Sequence, residues 1–148
     1  MPTKRQPWPD VVQDEYQELL EIVSRLRYLL RAGMEYELNG TVIDKGIPDL
    51  KRITRVIRTI QEKKSRFYSR KKWPEWVTQG LEESSLMMID IKDNLAMYSG
   101  FQNGPYGNVN RPYLENSLMS VEKIYTWLTT KLTPSEQDNT DWKSYNVQ

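Results

Sequence analysis

The stretch DVVQDEYQELLEIVSRLRYLL, residues 10–30, decides the fold. Its apolar and aromatic positions Val12, Tyr16, Leu19, Val23, Leu26 and Leu30 recur in steps of 4, 3, 4, 3 and 4. That period places them on one face of an α-helix. Leu20, Ile22 and Leu29 widen the face beyond a coiled-coil seam. Asp10 suits the N-cap, because its carboxylate can accept from unpaired backbone N–H groups. Asp14, Glu15 and Glu18 lie early and Arg25, Arg27 and Arg31 late, the order the helix dipole favours.

The same period returns three times further along. Leu50, Ile53, Ile57, Ile60 and Phe67 mark a second helix, with Pro48 expected at its first turn. Val77, Leu81, Ser84, Met88, Ile91, Leu95 and Tyr98 mark a third, opened by Pro74. Within it, Gly80 is either a weak point or a place where another helix comes close. Leu114, Leu118, Val121, Tyr125, Leu128 and Leu132 mark a fourth, with Asn110 and Pro112 at its start. Between the first two helices, Asn39-Gly40 separates two short apolar runs, and the pair tolerates positive φ. The expectation is therefore all-α: a roughly four-helix bundle with a small β-hairpin or structured loop between helices 1 and 2. Residues 1–9, with three prolines, read as an extended arm, residues 10–132 as the bundle, and residues 133–148 as a flexible polar tail.

Composition removes several function classes. The chain has 148 residues and neither His nor Cys. Thiolate metal sites and disulfides are excluded, and the commonest general base and zinc ligand are missing. Asp90, Asp93 and Asn94 share a helix face, but no matching pair stands on another helix to complete a hard-cation site. Gly104-Pro-Tyr-Gly107 follows no strand and matches no phosphate loop. No nucleophile motif is present, so an enzyme, a cofactor or a small-molecule substrate is not expected. With no apolar leader and no long apolar run, the chain reads as neither secreted nor transmembrane, and as cytoplasmic or nuclear.

Net charge is +1, but it is divided unevenly. Residues 51–72 hold ten basic side chains against Glu62 alone, a net +9, which leaves eleven against nineteen, or −8, elsewhere. On a helix, Lys51, Arg52, Arg55, Arg58, Lys63, Arg66 and Arg70 fall within an arc of about 140°, opposite the apolar stripe. With Lys71 and Lys72 they form the candidate polyanion-binding set. Tyr68, Trp73 and Trp76 interleave with them, as rings that stack on bases or pack at the edge of the site. Glu75, Glu82, Glu83, Asp90 and Asp93 on the third helix are the candidate acids that could cover this face. Trp8 in the arm and Trp142 in the tail are candidates for docking into a partner, or for folding back onto the bundle.

The function expected from these residues is non-enzymatic binding and assembly, with the cationic helix on a polyanion, nucleic acid first. The alternatives are a protein–protein or oligomer-forming factor, meeting an acidic protein or another copy of the chain, and a peripheral, matrix-like protein on acidic membranes. Small bundles with one cationic face occur among matrix-like and nucleic-acid-packaging proteins, viral ones included, an analogy at the level of fold only.

Overall fold

A computed structural model describes residues 3–36, 39–67, 73–101, 111–130 and 132–133. A short 3₁₀ turn, Asp10–Val12, leads into α1, Gln13–Tyr36. Then follow α2, Asn39–Phe67, α3, Glu75–Phe101, and α4, Arg111–Thr129. Helices consecutive in the chain pack side by side, and α4 returns to α1, so the four close a ring around one core.

Most of the core comes from the stripes read from the period, although Tyr16, Leu118 and Tyr125 are only half-buried and Leu132, expected on the fourth helix, lies beyond the end of α4 in a short strand. Leu19, Val23, Leu26 and Leu30 of α1 are buried, as are Ile53, Ile57 and Ile60 of α2 and Val77, Leu81, Met88, Ile91 and Leu95 of α3. From α4 come Leu114, Val121 and Leu128, with Ile124 and Trp127 beside them. Each helix removes one apolar face from water and leaves its charged face outside, which is what drives the four together. Polar ties fix the helices laterally. The Arg25 guanidinium donates from Nε, at 3.1 Å, and from Nη2 to the two oxygens of the buried Asp49 carboxylate, joining α1 to α2. Arg27 and Arg31 both reach Glu122 Oε1 at 2.8 Å, joining α1 to α4.

The expected β-hairpin between helices 1 and 2 is absent. Asn39-Gly40 lies in the first turn of α2, and the helix runs through Pro48 rather than starting there. Packing overrides the turn signal. Gly46, one turn before the proline's neighbours in the core, brings α2 against Leu26 and Leu29 of α1, each 3.7 Å from where a Cβ would stand. A hairpin with flanks this short has nothing comparable to bury. The one extended pairing among the described residues lies elsewhere: Thr3–Lys4 pairs antiparallel with Leu132–Thr133, a two-residue ladder at one pole of the bundle.

The arm is anchored to the core by Trp8, while Gln6 and Pro7 stay exposed. Trp8 is 5% exposed and packs against Tyr16, Trp76 and Trp127, at centroid distances of 5.0, 6.0 and 5.3 Å. Trp76 and Trp127 meet edge to face at 6.4 Å. Hydrogen bonds lock the cluster: Trp127 Nε1 donates to Trp76 O at 3.0 Å, Trp76 Nε1 to Gln6 O at 3.0 Å, and Tyr16 Oη to Leu128 O at 2.8 Å. Gly80 makes room for it. A Cβ there would lie 1.9 Å from Trp127 Cε2 and 2.0 Å from Nε1. The indole of α4 therefore rests directly on the α3 backbone, and of the two readings of Gly80 the close approach is the one realised.

Two outcomes follow for stability. Gly80→Ala destabilises by about 3 kcal/mol, because the rigid ring has nowhere to move. In a Trp127→Leu background the same change stabilises by up to about 1 kcal/mol, since alanine is the better helix former once the ring is gone. Thermal melts of the four proteins in this cycle check the reversal of sign. Separately, burial raises the Tyr16 phenol above its usual 10.0. The neutral form is favoured in the fold, so stability is full below about pH 10 and falls as pH rises from there towards the folded value. Urea midpoints at about pH 8 and pH 11 should drop less for Tyr16→Phe than for the parent chain.

Candidate polyanion-binding face

The outward side of α2 is set by its inward side. With Ile53, Val56, Ile57 and Ile60 buried, the helical period turns Lys51, Arg52, Arg55, Arg58 and Arg66 to solvent, and all five are exposed. They do not share one environment. Arg52 Nη2 stands 3.6 Å from Glu18 Oε1 of α1, a long and exposed pair. Lys63, half-buried, donates to both Glu15 oxygens at 2.8 and 3.1 Å and to Val11 O at 3.3 Å. Its charge is thus satisfied inside the molecule, and Lys63 fastens α2 to the start of α1. Lys51, Arg55, Arg58 and Arg66 make no ion pair among the described residues.

Among the described residues, the acids paired with cations of α2 come from α1, Glu15 with Lys63 and Glu18 with Arg52, while Asp49 of α2 itself pairs with Arg25 of α1. On α3, Glu75, Glu82, Asp90 and Asp93 are exposed and point away from the core. Between α2 and α3, Gln61 Nε2 donates to Ser85 Oγ at 3.2 Å. Near it lies an open cleft of about 350 Å³ lined by Lys64, Ser65, Thr78 and Glu82.

The aromatic candidates are placed differently from expectation. Trp73 is buried, and Trp76 lies in the tryptophan cluster, its indole N–H bonded to Gln6 O and its ring 4.5 Å beneath the Arg5 guanidinium. Trp73 is thus closed to a base, while Trp76 is half-buried, with its ring packed against Trp8 and Trp127. Trp8 is corrected in the same sense: a ring enclosed by Tyr16, Trp76 and Trp127 is not free to dock into a partner. Tyr68, Arg70, Lys71, Lys72 and Trp142 lie outside the described residues.

Asp90 and Asp93 stand on an exposed face, and among the described residues no group of three or more His, Cys, Asp or Glu is gathered as a metal would need. No described helix is long and apolar enough to cross a membrane. A second cleft, of about 370 Å³, lies where the arm crosses Tyr16, Gln17 and Trp76. Comparison of the chain with protein-family models, with curated proteins and with solved structures finds no match.

The division of the cations has a measurable consequence. Lys63→Ala removes a partly buried, hydrogen-bonded charge and lowers stability by about 1 kcal/mol. Arg55→Ala and Arg58→Ala, at solvated positions, each stay within about 0.5 kcal/mol of the parent chain. Chemical denaturation of the three variants separates the two classes.

Proposed function

We propose that this is a non-enzymatic binding protein whose α2 face contacts a polyanion, namely nucleic acid. One observation carries the reading: four cations, Lys51, Arg55, Arg58 and Arg66, stand exposed on one rigid helix, none paired with an acid among the described residues. A cationic row with no internal partner among the described residues gains most from an external one. Its length suits a phosphate backbone, since fifteen residues of helix rise about 22 Å, over which one strand of a duplex presents about six phosphates. Arginine tips can form two parallel hydrogen bonds to a phosphate, where an ammonium acts as a point charge.

The fate of the tryptophans refines the mechanism. With Trp73 and Trp76 held in the bundle, the face lacks the described stacking platforms that single-strand binders use. Affinity then rests on counterion release, without base readout, and sequence preference is small.

Anisotropy titrations with a labelled duplex of about 20 base pairs, at about 50 and 200 mM salt, test this. Four neutralised phosphates give a log–log salt slope of about −3.6. The variant Arg55→Gln/Arg58→Gln/Arg66→Gln should lose about three units of that slope while keeping its helical content. Absence of binding at the lower salt overturns the reading, and equal binding by the triple variant removes α2 from it.

A further inference from the structure

α3 is apolar on two opposite sides. One side lies in the core. On the other, Leu86, Ile89 and Met97 are 66%, 58% and 44% exposed. At 100° per residue these three occupy an arc of about 80°, and widening it to about 100° takes in Glu82, Asp90 and Asp93 without admitting a cation. The solvent side of α3 is therefore an apolar row set among carboxylates. Beside it, the solvent side of α2 is a row of cations with long aliphatic stems.

The heights of the two rows are fixed by the Gln61–Ser85 hydrogen bond. The helices run in opposite directions, so positions level with one another are found by counting away from that contact at equal rise. Arg58 is then level with Met88, Arg55 with Ile91 and Lys51 with Leu95. Asp90 falls in height between Arg58 and Arg55, Asp93 between Arg55 and Lys51, and Glu82 within one turn of Arg66. A two-fold axis parallel to the helices, at the centre of this face, exchanges the sides of α2 and α3 and leaves heights unchanged. It lays α2 of one copy on α3 of the other, twice, and each α3 carboxylate meets an α2 cation at its own level. A two-fold axis across the helices instead sets cations on cations and carboxylates on carboxylates.

We propose that the α2–α3 face docks a second copy of this chain in a closed two-fold dimer, with Leu86, Ile89 and Met97 covered by the stems of the partner's arginines. Charge complementarity selects both the occupant and the axis. The face measures about 27 by 20 Å, or about 1,000 Å² over both copies, at the lower limit for specific interfaces, so the dimer is weak and sensitive to salt. The inference does not rest on the polyanion reading. Where both hold, nucleic acid and the second copy compete for Arg55 and Arg58.

Sedimentation velocity on the full chain, free of nucleic acid, tests it at protein concentrations up to about 200 μM in about 50 and 500 mM salt. The expected result is a dimer at low salt that dissociates at high salt. Two reversed chains, Arg55→Glu/Arg58→Glu and Asp90→Arg/Asp93→Arg, should each remain monomeric alone, since like charges then oppose across both contacts. Mixed in equal amounts they should form a heterodimer, because both contacts are again complementary. Leu86→Ser should weaken the parent dimer about tenfold while leaving the helical content unchanged. A parent chain monomeric throughout at low salt overturns the proposal, and so does a dimer unaffected by either reversal. A duplex titration that fails while this dimer forms overturns the polyanion reading alone.

Discussion

The indole of Trp127 lying on the bare backbone of Gly80 is the contact on which the rest of the structure depends. Only hydrogen at position 80 allows α4 so close to α3. Once there, the ring completes a socket in which Trp8, Tyr16 and Trp76 fit, so four separate parts of the chain meet at one place. Aromatic contacts of this kind are worth about 0.5–1.5 kcal/mol each beyond the area they bury. The indole N–H groups of Trp127 and Trp76 keep acceptors, on Trp76 O and Gln6 O, so their burial leaves no donor stranded. An arm rich in proline, with little capacity for regular structure, is thereby ordered by its one large ring.

The charge of the molecule follows from that packing. Once α1 lies against α2, Glu15 and Glu18 are near enough to take Lys63 and Arg52, while Lys51, Arg55, Arg58 and Arg66 face water. Neutralisation on one flank and exposure on the other turn a crude excess of basic residues into a directed row. The acids of α3 end up beside the row rather than over it, so the two signs share one side of the bundle without cancelling. That juxtaposition makes both a polyanion and a second copy chemically suitable occupants.

Much of this was legible in the sequence. The steps of 3 and 4 located all four helices and most of the core, because burial of an apolar stripe depends only on period. The start of α2 was not legible: Asn39-Gly40 carries a strong local turn preference, and the helix that overrides it packs its Gly46 against Leu26 and Leu29 of α1, a contact between segments about 20 residues apart. Trp127 and Ile124 lie off the main stripe of α4, and their burial reflects the position of Gly80 on another helix. The cationic face was legible as a face, whereas the separate fate of Lys63 required knowing that Glu15 would stand opposite. For the tryptophans, sequence showed aromatic character beside charge, and their environment was decided by contacts 50 and more residues away.

The ladder between Thr3–Lys4 and Leu132–Thr133 gives the chain a different kind of property. It joins the segment before α1 to the segment after α4, so the described chain is closed on itself as a loop, with its two ends side by side at one pole. Fraying of the strand after α4 breaks this ladder but leaves Trp8 holding the arm in its socket. Loss of the arm withdraws Trp8 from the socket and frees the strand after α4 in the same event. Topologically the bundle has no first helix: a new pair of ends cut between any two helices, with residues 3 and 133 joined by a short linker, would preserve every helix and every neighbour.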